Sequence, residues 1–125
     1  MDTEQGDGWA VASVDSLGSG PGFRKIRTPL GVTAFGVNAI VLPPSYATNP
    51  HHHERQQELY IVLAGEIEIT LAGEPRTLGP GGLARVDAAT VRSLRNVSET
   101  SEATYICVGG ADGYVGRDGV SDAGG

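Results

Sequence analysis

A chain of 125 residues has room for one domain around one core, and a second domain does not fit. Hydrophobic residues make up 39% and charged residues 19%, with 19 glycines and 7 prolines, which suits a packed globule rich in turns rather than long helices. The formal charge of −6 comes without any block of basic residues, which excludes nucleic acid and anionic membrane as partners. A single cysteine, Cys107, excludes an internal disulfide framework. The acidic N-terminus has no apolar core, and no apolar run approaches the ~20 residues of a membrane span. Neither signal peptide nor span is expected, and the expected location is a reducing cytoplasm.

Residues 1–20 are expected to form a flexible N-terminal tail or arm. Within it, Met1 to Gly8 is polar and acidic and is expected to be disordered. Trp9 to Val14 reads as a short arm or strand, and Ser13 caps a turn of helix running to Leu17. Gly18 to Gly22 is a loop. The compact body is expected over residues 21–110. A short strand at Phe23 to Arg27 is turned by Pro29 and Gly31 into a longer one at Ala34 to Leu42, which Pro43-Pro44 ends. Glu66 to Leu71 alternates, with Ile67, Ile69 and Leu71 on one face and Glu66, Glu68 and Thr70 on a charged outer face. Further strands are expected at Arg76 to Leu78, Leu83 to Val86, Val91 to Arg95 and Ala103 to Val108. Short strands at this spacing, with no helical period among them, specify an all-β sandwich or barrel. Residues 111–125 form a Gly- and Asp-rich C-terminal tail, docked by Tyr114 and Val115 and frayed over its last five or so positions.

All three histidines lie in Pro50-His51-His52-His53-Glu54-Arg55-Gln56-Gln57-Glu58-Leu59-Tyr60. On an extended backbone His51 and His53 share a face and His52 points away. A polar bend over Glu54 to Gln57 leads to Glu58, with Tyr60 and Val62 on the same face of the next strand. If the bend folds that strand beside the histidines, two imidazoles meet one carboxylate. That set suits zinc, iron, manganese or nickel and leaves positions open for water or substrate. The alternative is a solvated polar loop. Gln57 and Tyr60 are placed to line the pocket, while Cys107, on a strand face with Ala103 and Tyr105, reads as a small buried thiol.

The spacing His51-x-His53, four residues, Glu58, six residues, Gly65 resembles the first motif of the cupins. Pro80-x-Gly82 and Asn96 are similar to the second motif, although six residues rather than five separate Gly73 from Pro80, and the position of the fourth metal-binding histidine is occupied by Arg92. The resemblance implies a small antiparallel jelly-roll (double-stranded β-helix) barrel, with His51, His53 and Glu58 holding a divalent metal. It also implies metal-dependent chemistry of dioxygenase, decarboxylase or isomerase kind on a small organic molecule, with Glu58 or Tyr60 moving protons. An arginine cannot ligate a metal. Arg92 therefore either pairs with Glu58 and takes the metal's place, or swings toward the mouth and, with Gln57 nearby, binds an anionic ligand. A non-catalytic binding module and a protein with no small-molecule role are the competing readings. Both faces of Leu59 to Leu63 are apolar, so both must be covered. A second subunit or a swapped arm carrying Trp9, Val11 and Val14 is the expected cover, similar to the homodimers many cupins form.

Overall fold

The structure is a computed structural model that describes residues 2–123. Its elements in chain order are β1 (Glu4–Gly6), β2 (Trp9–Val11), a 3-10 turn (Val14–Leu17), β3 (Gly22–Lys25), α1 (Arg27–Leu30), β4 (Gly36–Leu42), β5 (His51–His53), β6 (Gln57–Ala64), β7 (Ile67–Leu71), β8 (Glu74–Leu78), β9 (Leu83–Val86), β10 (Arg92–Asn96), β11 (Ala103–Gly110) and β12 (Gly119–Ser121). Two five-stranded antiparallel sheets face each other, ordered β12-β5-β10-β7-β8 and β3-β4-β11-β6-β9. This is the all-β architecture expected from the spacing of short strands, in the jelly-roll form that the cupin resemblance implies. No helix among the described residues is long and apolar enough to cross a membrane.

Alternation places the core. Ile67 and Ile69 from β7 and Leu94 from β10 meet Ile40 and Leu42 from β4, Tyr60 and Val62 from β6 and Tyr105 from β11 between the sheets. The turn from β6 to β7 needs a glycine: Gly65 has φ +78°, and a Cβ there would stand 2.8 Å from the Ala103 Cβ. The loop from β7 to β8 is a two-residue turn, Ala72-Gly73, with φ of 50° and 84°, the positive pair that matches strand twist. Asn96 closes the far end of the barrel. Its buried amide donates to the carbonyls of Leu42, Pro43 and Ser101 at 3.2, 3.1 and 2.8 Å, and its oxygen accepts from the Ser98 N–H.

Three expectations change. The acidic N-terminus is not featureless, because β1 pairs with β2 in a small hairpin of its own; Met1 lies outside the described residues. Helix is not confined to the Ser13-capped turn, which forms with a reciprocal Ser13–Ser16 capping box. A second turn, α1, occupies the connection expected to be a plain loop, and Gly31 ends it in the left-handed conformation. The largest difference is at the C-terminus. The barrel does not stop at residue 110, since β12 pairs with β5, Gly119 opposite His53 and Ser121 opposite His51. Upstream, the Arg27 guanidinium stacks 3.9 Å from the centre of the Tyr114 ring and docks the segment. The fraying expected near the C-terminus falls partly on Gly124 and Gly125, which lie outside the described residues.

Candidate metal centre

The chain crosses from one sheet to the other at the bend Glu54–Gln56, which is why Glu58 faces the histidines instead of following them along one strand. β5 belongs to the sheet of β10 and β12, and β6 to the sheet of β11 and β9. His51 and His53 share a face of β5, their ring centres 5.2 Å apart and edge-on at 76°. His52 points the other way, to Asp122 at 2.7 Å. One donor atom from each of His51, His53 and Glu58 falls within 4.8 Å of the others. They open onto a cavity of about 870 Å³ lined also by Asn38, Tyr60, Tyr105 and Cys107, with Phe23 and Tyr46 among its exposed aromatics.

Second partners set the tautomers. His51 Nδ1 lies 3.3 Å from the Asn49 carbonyl oxygen, and His53 Nδ1 lies 2.7 Å from Asp118 Oδ1. Both partners only accept, so each ring, when neutral, carries its proton on Nδ1 and presents an Nε2 lone pair; the Gln56 amide nitrogen, 3.3 Å from the same His53 Nδ1, gives its proton to Asp118 Oδ1 at 2.6 Å instead. His53 Nε2 is buried and without a hydrogen-bond partner, yet it stands 3.2 Å from Glu58 Oε1. Two lone-pair-bearing atoms facing each other repel unless a cation, a proton or a metal ion, sits between them, and with His51 beside them they form a chelating set for a borderline divalent metal. The residues fit a metal.

Glu58, 9% exposed, is held from both oxygens: the Tyr60 hydroxyl donates to Oε1 at 2.7 Å and the Cys107 thiol to Oε2 at 3.2 Å. Burial, joined by the negative charge of Glu58, pushes both the Tyr60 phenol and the Cys107 thiol well above their ordinary pKa values, so both remain donors. Burial is the largest influence on His51 and pulls its pKa down; the Asn49 carbonyl opposes this, Arg92 and His53 add to it, and Glu58 again opposes. A lowered pKa means the folded state favours the neutral ring. Its stabilising contribution is complete above the free-imidazole value of about 6.5 and is lost as pH falls below it. Melting temperature is therefore expected to decline from pH 7 to pH 5, and His51→Gln should flatten part of that decline in a calorimetric pH series.

Arg92 does neither of the two things expected of it. The side chain does point inward, fully buried, on β10 directly opposite His51. It forms no ion pair with Glu58 and does not line the cavity. Its guanidinium donates to the carbonyls of Val86, Asp87 and Ala88 at 3.4, 3.0 and 3.5 Å, because the loop leaving β9 turns its carbonyls toward β10. Gln57 also departs from expectation. It is the strand neighbour of Glu58 and so faces outward, where its amide donates to Asp87 Oδ1 at 2.7 Å. The glutamine at the pocket is Gln56, whose side chain runs from the bend to Asp118 Oδ1 at 2.6 Å. It passes so close to Gly109 that a Cβ at that position would collide with it. Alternation around Glu58 signals the Gln57 correction; no sequence signal points to Asp118.

A family model described as Cupin domain matches residues 39–109, more than half of the chain. The chain belongs to the cupin family. Solved structures share its fold at low identity. A cupin protein from Bacteroides fragilis aligns with TM-score 0.70 at 21% identity, covering 94% of this chain and 95% of its own. An uncharacterized conserved protein with a double-stranded β-helix domain from Klebsiella pneumoniae aligns with TM-score 0.75 at 19% identity, covering 90% of this chain and 91% of its own. A sugar phosphate isomerase from a cupin superfamily, from Silicibacter pomeroyi, aligns with TM-score 0.65 at 24% identity over 70% of this chain; the cupin described here spans only 57% of that isomerase's length. No curated protein matches.

Proposed function

We propose that this cupin is a metal-dependent enzyme on a small organic molecule, with His51, His53 and Glu58 as the ligands of a divalent ion. The observation that carries the reading is the buried, unpartnered His53 Nε2 aimed at Glu58 Oε1. A bound zinc, iron, manganese or nickel ion would supply a Lewis acid that polarises a carbonyl or carboxylate oxygen of the substrate. The chain's own residues do the rest. Glu58, fixed by Tyr60 and Cys107, holds its carboxylate at the floor of the cavity, and the Tyr60 hydroxyl keeps a proton within 2.7 Å of that carboxylate. Dioxygenase, decarboxylase and isomerase chemistry are the classes the family implies, and the Silicibacter pomeroyi protein is named for the last. Anion capture by Arg92 loses its support, because the guanidinium is spent on three carbonyls outside the cavity.

An enzyme of this kind needs an open coordination position. Protein loaded with Mn²⁺ is expected to enhance the relaxation of bulk water protons, and small organic acids added one by one should lower that enhancement when they enter. Loaded protein with no enhancement would mean a closed site and would contradict the reading.

The proposed assembly is a homodimer. In the single chain Leu59 and Leu63 on the outer face of β6 are 39% and 43% exposed, and Leu83 on the adjacent β9 is 63% exposed, so the chain's own arm does not cover this face. A second copy of the same strip is self-complementary across a two-fold axis. Light scattering is expected to give twice the chain mass; a monomer at all concentrations would remove the dimer.

A further inference from the structure

Asp118 comes from the C-terminal segment, 65 positions beyond His53, and its side chain is 9% exposed. One carboxylate takes four further or shared roles at the bend: Oδ1 accepts from His53 Nδ1 at 2.7 Å and from the Gln56 amide at 2.6 Å, while Oδ2 accepts from the backbone N–H groups of Arg55 and Gln56 at 2.8 and 3.0 Å. The Asp118 carbonyl also accepts from the Glu54 N–H at 3.1 Å, and β12 continues from it along β5. The bend that swings Glu58 toward the histidines is thus held by the residue that leads into the C-terminal strand β12. The same residue fixes which nitrogen of His53 carries a proton.

We propose that Asp118 is the positioning residue of His53, so that the C-terminal strand is a working part of the metal centre. This rests on the metal reading above for its consequence, and on the tautomer for its substance. An ionised carboxylate cannot donate, so it holds the proton on Nδ1 and turns the Nε2 lone pair inward. Asp122, one strand position past Ser121, is the natural comparison, because its histidine, His52, faces out of the barrel.

Two measurements test this. In ¹⁵N-labelled native protein without metal, long-range ¹H–¹⁵N spectra should show His53 as the neutral Nδ1–H tautomer, and Asp118→Asn should lose that preference. A native His53 found as the Nε2–H tautomer overturns the proposal, and this needs neither a variant nor a bound metal. In titration calorimetry with zinc, Asp118→Asn should weaken binding about 10–100-fold, the usual cost of an outer partner, while Asp122→Asn leaves it unchanged. Equal losses in the two variants, or none in Asp118→Asn, would also overturn it. If the native protein binds no zinc at all, the metal reading fails and the tautomer alone decides for or against Asp118.

Discussion

Glu58→Gln is expected to weaken zinc binding by more than the ~10–100-fold that removal of an outer-shell partner costs, because it removes a ligand itself. The amide keeps one acceptor oxygen, yet the wild-type carboxylate uses both, one for the Tyr60 hydroxyl at 2.7 Å and one for the Cys107 thiol at 3.2 Å. One of these buried donors loses its partner. The matching loss of stability is about 1–3 kcal/mol, the cost of a single unsatisfied buried polar group. Had Arg92 been the counter-charge of Glu58, the loss would have been about 3–5 kcal/mol. The guanidinium rests on backbone carbonyls, so the smaller figure applies. Zinc calorimetry and urea unfolding of the same preparation read both numbers; a variant that binds zinc as the native protein does would place Glu58 outside the ligand set.

Arg92→His should move metal affinity in the opposite direction. Position 92 lies directly across from His51 on paired strands, a separation of roughly 5 Å between Cβ atoms, so an imidazole there reaches the space that the other three donors face. The substitution also removes a buried cation whose field acts against a second positive charge nearby. The gain is expected to exceed tenfold, since a fourth donor completes the coordination that a solvent molecule otherwise fills. The same change strips donors from the carbonyls of Val86, Asp87 and Ala88, at about 1 kcal/mol for each lost bond. The metal-free variant should therefore melt earlier than the native protein and be rescued by zinc. Unchanged affinity would show that position 92 does not reach the site.

These two expectations also mark how far the sequence could be read. The alternation of His51, His52 and His53, the turn at Gly65 and the inward phase of Arg92, Leu94 and Asn96 are all consequences of a two-residue period, and local spacing carries them. The destination of the Arg92 guanidinium is not local. It depends on which way the carbonyls of the loop after β9 turn, and no residue type at 86–88 reports that. Nearness to the bend points Gln57 at the pocket, although its strand phase sets it opposite Glu58; the residue that reaches inward, Gln56, does so because the bend suspends the alternation. Asp118 was invisible for a different reason. It lies in a Gly- and Asp-rich segment with no apolar period, and only the pairing of β12 with β5 brings it to His53.

Zinc titrated by calorimetry into protein purified without a histidine tag tests the central claim most directly, namely that His51, His53 and Glu58 form a metal centre. The account predicts one ion per chain and a melting temperature that rises with zinc concentration. Absence of saturable binding, with the melting temperature indifferent to zinc, manganese and nickel alike, would contradict it.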